Sequence, residues 1–152
     1  MQNNINNNNN NLNFEFSKDT NNLNKKLQGF YRQKDQKFDH FFDELTTEYK
    51  LFKKLTHECQ MGCFGTADFN RKQSDACARQ CLDPYLYIRK SIGDKIGQCD
   101  HQFQQQESKC MSSTDMDQCY SNLVSQLGVC LQQHTQFAKD QYKSVLQHFL
   151  KK

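Results

Sequence analysis

Cysteine carries the chemistry of this sequence. Eight cysteines stand among 152 residues, and four of them form two pairs of one spacing, Cys59-Gln-Met-Gly-Cys63 and Cys77-Ala-Arg-Gln-Cys81, with thirteen residues between the pairs. Three intervening residues put both sulfurs on one face of a helix, one turn apart. Two such helices running antiparallel set Cys59 against Cys81 and Cys63 against Cys77, as nested bridges across a helical hairpin. The other four obey a second spacing: Cys99 and Cys110 are eleven apart, as are Cys119 and Cys130. Eleven residues are about three turns, so each pair again shares a face. Two helices folded back around a turn at 111–114 set Cys110 against Cys119 and Cys99 against Cys130. Eight cysteines allow on the order of a hundred pairings, so this choice rests on helix geometry and not on counting.

Two other chemistries compete for the same sulfurs. Four thiolates at Cys59, Cys63, Cys77 and Cys81 suit a structural zinc ion, but zinc knuckles use closer spacing in loops, and the second set of four departs from that pattern. A redox-active thiol calls for a close-spaced pair beside a strand–helix unit, and the even count leaves no odd cysteine. Bridges are the favoured reading, with no metal and no cofactor. His40, His57, His101, His134 and His148 are scattered, and none stands with a nucleophile and an acid in a recognisable order. His134 falls on an apolar stripe and reads as a core residue. Glu58 and Asp75, beside cysteines, read as solvated helix-face residues. No catalytic residue is assigned, and the chain is read as a non-enzyme.

Composition explains why bridges are needed. Leu, Ile, Val and Phe make up roughly a fifth of the chain, close to the limit below which chains stay disordered. A bridge closing the Cys59–Cys81 loop contributes roughly 3 kcal/mol in the chain-entropy model. The net charge of +3 is modest and does not point to nucleic acid, which asks for a concentrated basic face. No run of about 18 apolar residues marks a membrane span. The first residues show neither a signal-peptide core nor an Arg-rich presequence. Paired cysteines nevertheless call for an oxidising compartment. The mitochondrial intermembrane space satisfies both observations.

The elements that must position the cysteines follow in order. Residues 1–13 hold nine Asn and read as low-complexity, disordered sequence. Residues 14–34 read as a tether with a short helix around Leu23–Leu27, broken at Gly29. From Asp35, Phe38, Phe41, Phe42, Leu45, Tyr49, Phe52, Leu55, Cys59 and Cys63 recur at helical steps, so a first helix is expected over 35–64. Gly65 suits its C-terminus, and Ser74 is the expected cap of the next helix. Asp83-Pro84 interrupts the second helix with a bend or short break that keeps the direction. Tyr85, Ile88, Ile92, Ile96, Cys99, Phe103 and Cys110 line its face. Ser113 or Thr114 caps a third helix over 115–150, whose stripe includes Tyr120, Leu123, Leu127, Cys130, His134 and Phe149 and which ends at Lys151-Lys152. The expected fold is all-α: antiparallel helical hairpins stapled by disulfides, two or three long helices with a kink near Pro84. The expected organisation is a disordered extension at 1–34, a twin-Cys hairpin at 35–98 and a helical extension at 99–152.

At this point the residues resemble a family. Twin Cys-x-x-x-Cys pairs thirteen residues apart, preceded by Phe52, Leu55 and Thr56, are similar to those of the small Tim family, chaperones of the mitochondrial intermembrane space. The run Cys81-Leu-Asp-Pro-Tyr-Leu-Tyr-Ile88, then Gly93-Asp-Lys95, resembles the family's Cys-Val-x-x-Tyr-Leu-x-Ile and Gly-x-Lys. The likeness covers about residues 38–98. It implies a helix–loop–helix with outer bridge Cys59–Cys81 and inner bridge Cys63–Cys77. It also implies trapping by oxidation after import, and assembly into hexameric rings whose helical arms guide unfolded membrane-protein precursors. The chain departs from the family in Pro84, in the third helix with four more cysteines, and in the Asn-rich front.

Two functions are expected from this. In the first, a carrier, Phe38, Phe41, Phe42, Leu45, Tyr85, Ile88 and Ile92 hold hydrophobic precursor proteins by many weak contacts, alongside other small-Tim-like subunits. In the second, the fold is a non-catalytic brace on the intermembrane-space side of a large inner-membrane complex, such as a respiratory complex. Tyr85, Tyr87, Arg89 and the third helix then serve as anchors. The carrier stands slightly ahead on sequence likeness, and the extra stapled helix favours the brace.

Overall fold

A computed structural model describes the backbone of residues 5–150 and the side chains of residues 21–150. Five helices follow in order: α1 (Ile5–Asp43), α2 (Thr46–Gly65), α3 (Arg71–Gln80), α4 (Asp83–Met111) and α5 (Met116–Leu150). No strand occurs among the described residues. The helices form three rods. α1 and α2 make the first, α3 and α4 return antiparallel to it, and α5 runs back alongside both. The fold is therefore all-α, with two stapled hairpins sharing the middle rod.

The disordered extension expected over 1–34 is the first correction. Residues 1–4 lie outside the described ones, and α1 begins at Ile5. From Leu23 the steps to Leu27, Phe30, Lys34, Phe38 and Phe41 are three or four residues, one helical face. That face lies parallel to α5. Lys26 pairs with Asp117 at 3.6 Å, Phe30 stacks on Tyr120 at 4.8 Å between ring centres, and Lys37 lies against Gly128. From Leu27 on, the expected tether is thus a packed part of the bundle, held by burial of its own apolar face.

The expected helix over 35–64 is two. The ladder shifts at Glu44-Leu45, where Leu45 N–H bonds to the Phe42 carbonyl three residues back, not four. The Thr46 hydroxyl donates to the Asp43 carbonyl at 2.7 Å. A β-branched residue bonding back to the preceding turn competes with the helical ladder and bends it. Leu45 itself turns inward and is buried.

The caps also differ from expectation. Asn70, not Ser74, starts α3: its side chain accepts from Gln73 N–H while the Gln73 side chain accepts from Asn70 N–H, both at 2.9 Å. The rod then breaks at Cys81-Leu82 and restarts at Asp83, with Pro84 in the first turn, where its missing N–H costs nothing. The expected break near Pro84 is present. α5 is capped by Asp115, whose carboxylate accepts from Gln118 N–H at 3.1 Å, not by Ser113 or Thr114. Lys151 and Lys152 lie outside the described residues.

One continuous core joins the rods. It includes Phe41 and Leu45, Phe52, Ile88 and Ile92, Phe103, Tyr120, Leu123, Leu127, Leu131 and Leu146. Phe52 sits where α2, α4 and α5 meet, 5.7 to 6.3 Å between ring centres from Tyr85, Tyr142 and Phe149. Lys34 interrupts the α1 stripe yet is partly buried. Its ammonium pairs with Asp100 at 2.7 Å and lies 4.7 Å from the centre of the Phe103 ring. A buried charge needs such partners.

Candidate functional site

Four disulfides define the molecule's two stapled regions. Cys59–Cys81 and Cys63–Cys77 join α2 to the middle rod. Cys99–Cys130 and Cys110–Cys119 join α4 to α5. All four pairings are those expected from helix geometry. The two bridges of the first hairpin lie close together, with the Cys63 and Cys81 sulfurs 3.8 Å apart.

The residues expected to hold a client lie elsewhere than an open arm. Phe41, Leu45, Ile88 and Ile92 are buried, 2 to 5 % exposed, and Phe38 and Tyr85 are half-buried against the same core. Of the seven, only Phe42 is exposed, at 49 %. The cause is α5. It packs along both of the other rods and covers the faces that a two-helix hairpin leaves free.

Exposed apolar side chains stand at positions off the stripes. Met61 and Phe64 flank Cys63, Phe69 lies in the loop between α2 and α3, and Leu82, Leu86 and Tyr87 follow Cys81. On α2, Met61 and Phe64 project away from the side that carries Cys59 and Cys63. The sequence signal for them is the failure to fit the period, which a search for stripes passes over. A second exposed pair, Phe42 and Tyr49, lines a groove of about 400 Å³ at the α1–α2 bend with Leu45, Thr46 and Tyr142. Tyr87 and Arg89, two of the expected anchors, are both exposed on α4.

Ionisable groups in the bundle serve packing. The hydroxyls of Tyr31 on α1 and Tyr120 on α5 both donate to the Glu107 carboxylate on α4, the latter at 3.2 Å. One carboxylate thereby ties three rods. Burial, and then the Glu107 charge, push the Tyr120 phenol up to about 12. The Glu107 hydrogen bond raises that of Tyr31. Burial raises that of Tyr142, with Tyr49, Tyr85 and Glu48 adding to it.

One cluster has the composition of a metal site. Ligand atoms of Cys99, Cys130 and His134 all lie within 4.8 Å of one another, although both sulfurs are joined in a bridge. His134, expected as a core residue, is half-buried beside that bridge.

No helix among the described residues is long and apolar enough to cross a membrane. Comparison with family models, with curated proteins and with solved structures finds no match to this chain.

Proposed function

We propose that this protein works by binding and not by catalysis, as a rigid brace within a larger assembly. The observation that carries this reading is the burial of Phe41, Leu45, Ile88 and Ile92 under α5. A carrier needs apolar arms that stay open to many clients, whereas a brace needs a fixed body with a few exposed anchors. Four bridges and one core supply the fixed body. Phe42 and Tyr49 at the bend, and Tyr87 and Arg89 on α4, supply the anchors.

The compartment we assign is the mitochondrial intermembrane space, on the surface of the inner membrane. Its support is the pairing of all eight cysteines, which needs an oxidising environment, together with the twin-Cys likeness to the small Tim family. The partner class is a large inner-membrane complex, such as a respiratory complex, with this chain as a non-catalytic subunit.

A carrier of hydrophobic precursors, assembled with other small-Tim-like subunits, is the second reading. What favours it is the set of exposed apolar residues near the first cystine pair, with Met61, Phe64, Leu86 and Tyr87 each more than half exposed.

The test is the native size of the endogenous protein from gently solubilised mitochondria, with co-purifying chains identified by mass spectrometry. Stoichiometric migration with a large membrane complex is the expected result. A small assembly made only of other twin-Cys chains overturns the brace and favours the carrier.

A further inference from the structure

We propose that opening the Cys99–Cys130 bridge creates a zinc site made by Cys99, Cys130 and His134. Cystine and bound metal are then alternative states of one place in the fold. Cys130 and His134 are four residues apart on α5 and so share a face, while Cys99 reaches across from α4. The two sulfurs and an imidazole nitrogen already lie within 4.8 Å of one another. Among the described residues, no other cystine belongs to such a cluster.

The chemistry balances simply. A phosphine reductant supplies two electrons and breaks the S–S bond, its phosphorus takes the oxygen of a water, and each sulfur gains a proton. Zinc then displaces both thiol protons, and the neutral imidazole adds a lone pair. Two thiolates and a neutral imidazole around a divalent cation make an uncharged site. That suits a place where Cys99 is buried and Cys130 and His134 are half-buried, since an uncompensated charge there is costly. Three protein ligands of this kind leave a fourth position to water. A surface groove lined by Gln102, Gln126, Gln133 and His134 gives that water access to Cys130.

The site is held ready by what does not open. Phe103, Leu123, Leu127 and Leu131 pack between the rods, so the two sulfurs stay opposite each other after reduction. The Gln102 carboxamide oxygen lies 3.9 Å from the Cys130 sulfur, placed to accept a hydrogen bond from the reduced thiol.

The test follows the His134 ring by nuclear magnetic resonance in the full chain, because thiols elsewhere also bind zinc and stoichiometry alone is ambiguous. In the phosphine-reduced chain, zinc is expected to shift the His134 ring nitrogens. In the oxidised chain it is expected to leave them unmoved. Cys130→Ser is expected to abolish the shift, and Cys110→Ser to leave it in place. Four results overturn the proposal: no His134 shift on adding zinc to the reduced chain, an equal shift in the oxidised chain, a shift that survives Cys130→Ser, or a reduced chain that is unfolded and stays so with zinc present.

Discussion

Phe41 and Phe42 are adjacent, identical in type and on one helix, yet one is 2 % exposed and the other 49 %. Replacing each by Ala changes helix propensity and the unfolded chain almost equally. Their mutual edge-to-face contact, 5.3 Å between ring centres, is lost in either variant. The difference between the two variants therefore isolates burial. A phenylalanine buries roughly 150–250 Å² when fully covered, so Phe41 keeps about 100 Å² more from water than Phe42, or about 2.5 kcal/mol of transfer. The hole left behind widens that gap, and Phe41→Ala should cost about 3–5 kcal/mol in all. Phe42→Ala should cost about 1 kcal/mol. For a chain of this length the gap corresponds to a melting temperature lower by roughly 6–10 °C in Phe41→Ala than in Phe42→Ala. The assay is a thermal or urea melt of the oxidised protein followed by far-ultraviolet circular dichroism. Equal melts for the two variants would refute the reasoning, because the first rod's apolar face would then be uncovered and free for a client.

Replacing Cys99 and Cys130 together by Ser, a bridge spanning 31 residues, should cost about 3 kcal/mol. Because one core spans all three rods, the urea melt should stay a single transition at a lower midpoint, and a separate early loss of α5 would count against the shared core. The raised Tyr120 phenol, at about 12 against an ordinary value near 10, stabilises the fold as long as both folded and unfolded forms are protonated. That contribution is complete below about pH 10 and is lost as pH rises toward 12. Unfolding midpoints across this range should fall less steeply in Tyr120→Phe, and parallel curves for the two proteins would contradict the assignment.

The cystine pairing was legible because it depends on local arithmetic. Steps of four and eleven residues fix a helix face, and an antiparallel return then leaves one partner for each sulfur. The packing of α1 depends on something else. Its stripe from Leu23 to Phe41 is interrupted by Lys34, and the residue that neutralises Lys34 is Asp100, on another helix. Gly29 also weakens the pattern, although a methyl there would meet nothing within 4 Å. The break at Glu44-Leu45 had neither Gly nor Pro to mark it, only a threonine that bonds backward. A stripe likewise reveals which side of a helix is apolar and not what lies over it. Phe41 and Ile88 lie on such stripes, and α5 covers both.

The two stapled regions are stabilised by different means, and this bears on function. α4 and α5 share a core of fully buried residues as well as two bridges. α3 has no buried residue in its span, and its tie to α2 rests on Cys63–Cys77 and the neighbouring Cys59–Cys81. Burial resists a reductant and a bridge does not. Reduction therefore acts first on the α2–α3 hairpin, while the core holds the other rods together. Met61, Phe64 and Phe69 stand on that hairpin. Any contact they make with a partner requires α2, its loop and α3 to be held in one arrangement. On this reasoning oxidation does more than raise stability: it fixes the geometry of the exposed apolar residues that the rest of the bundle has no means of fixing.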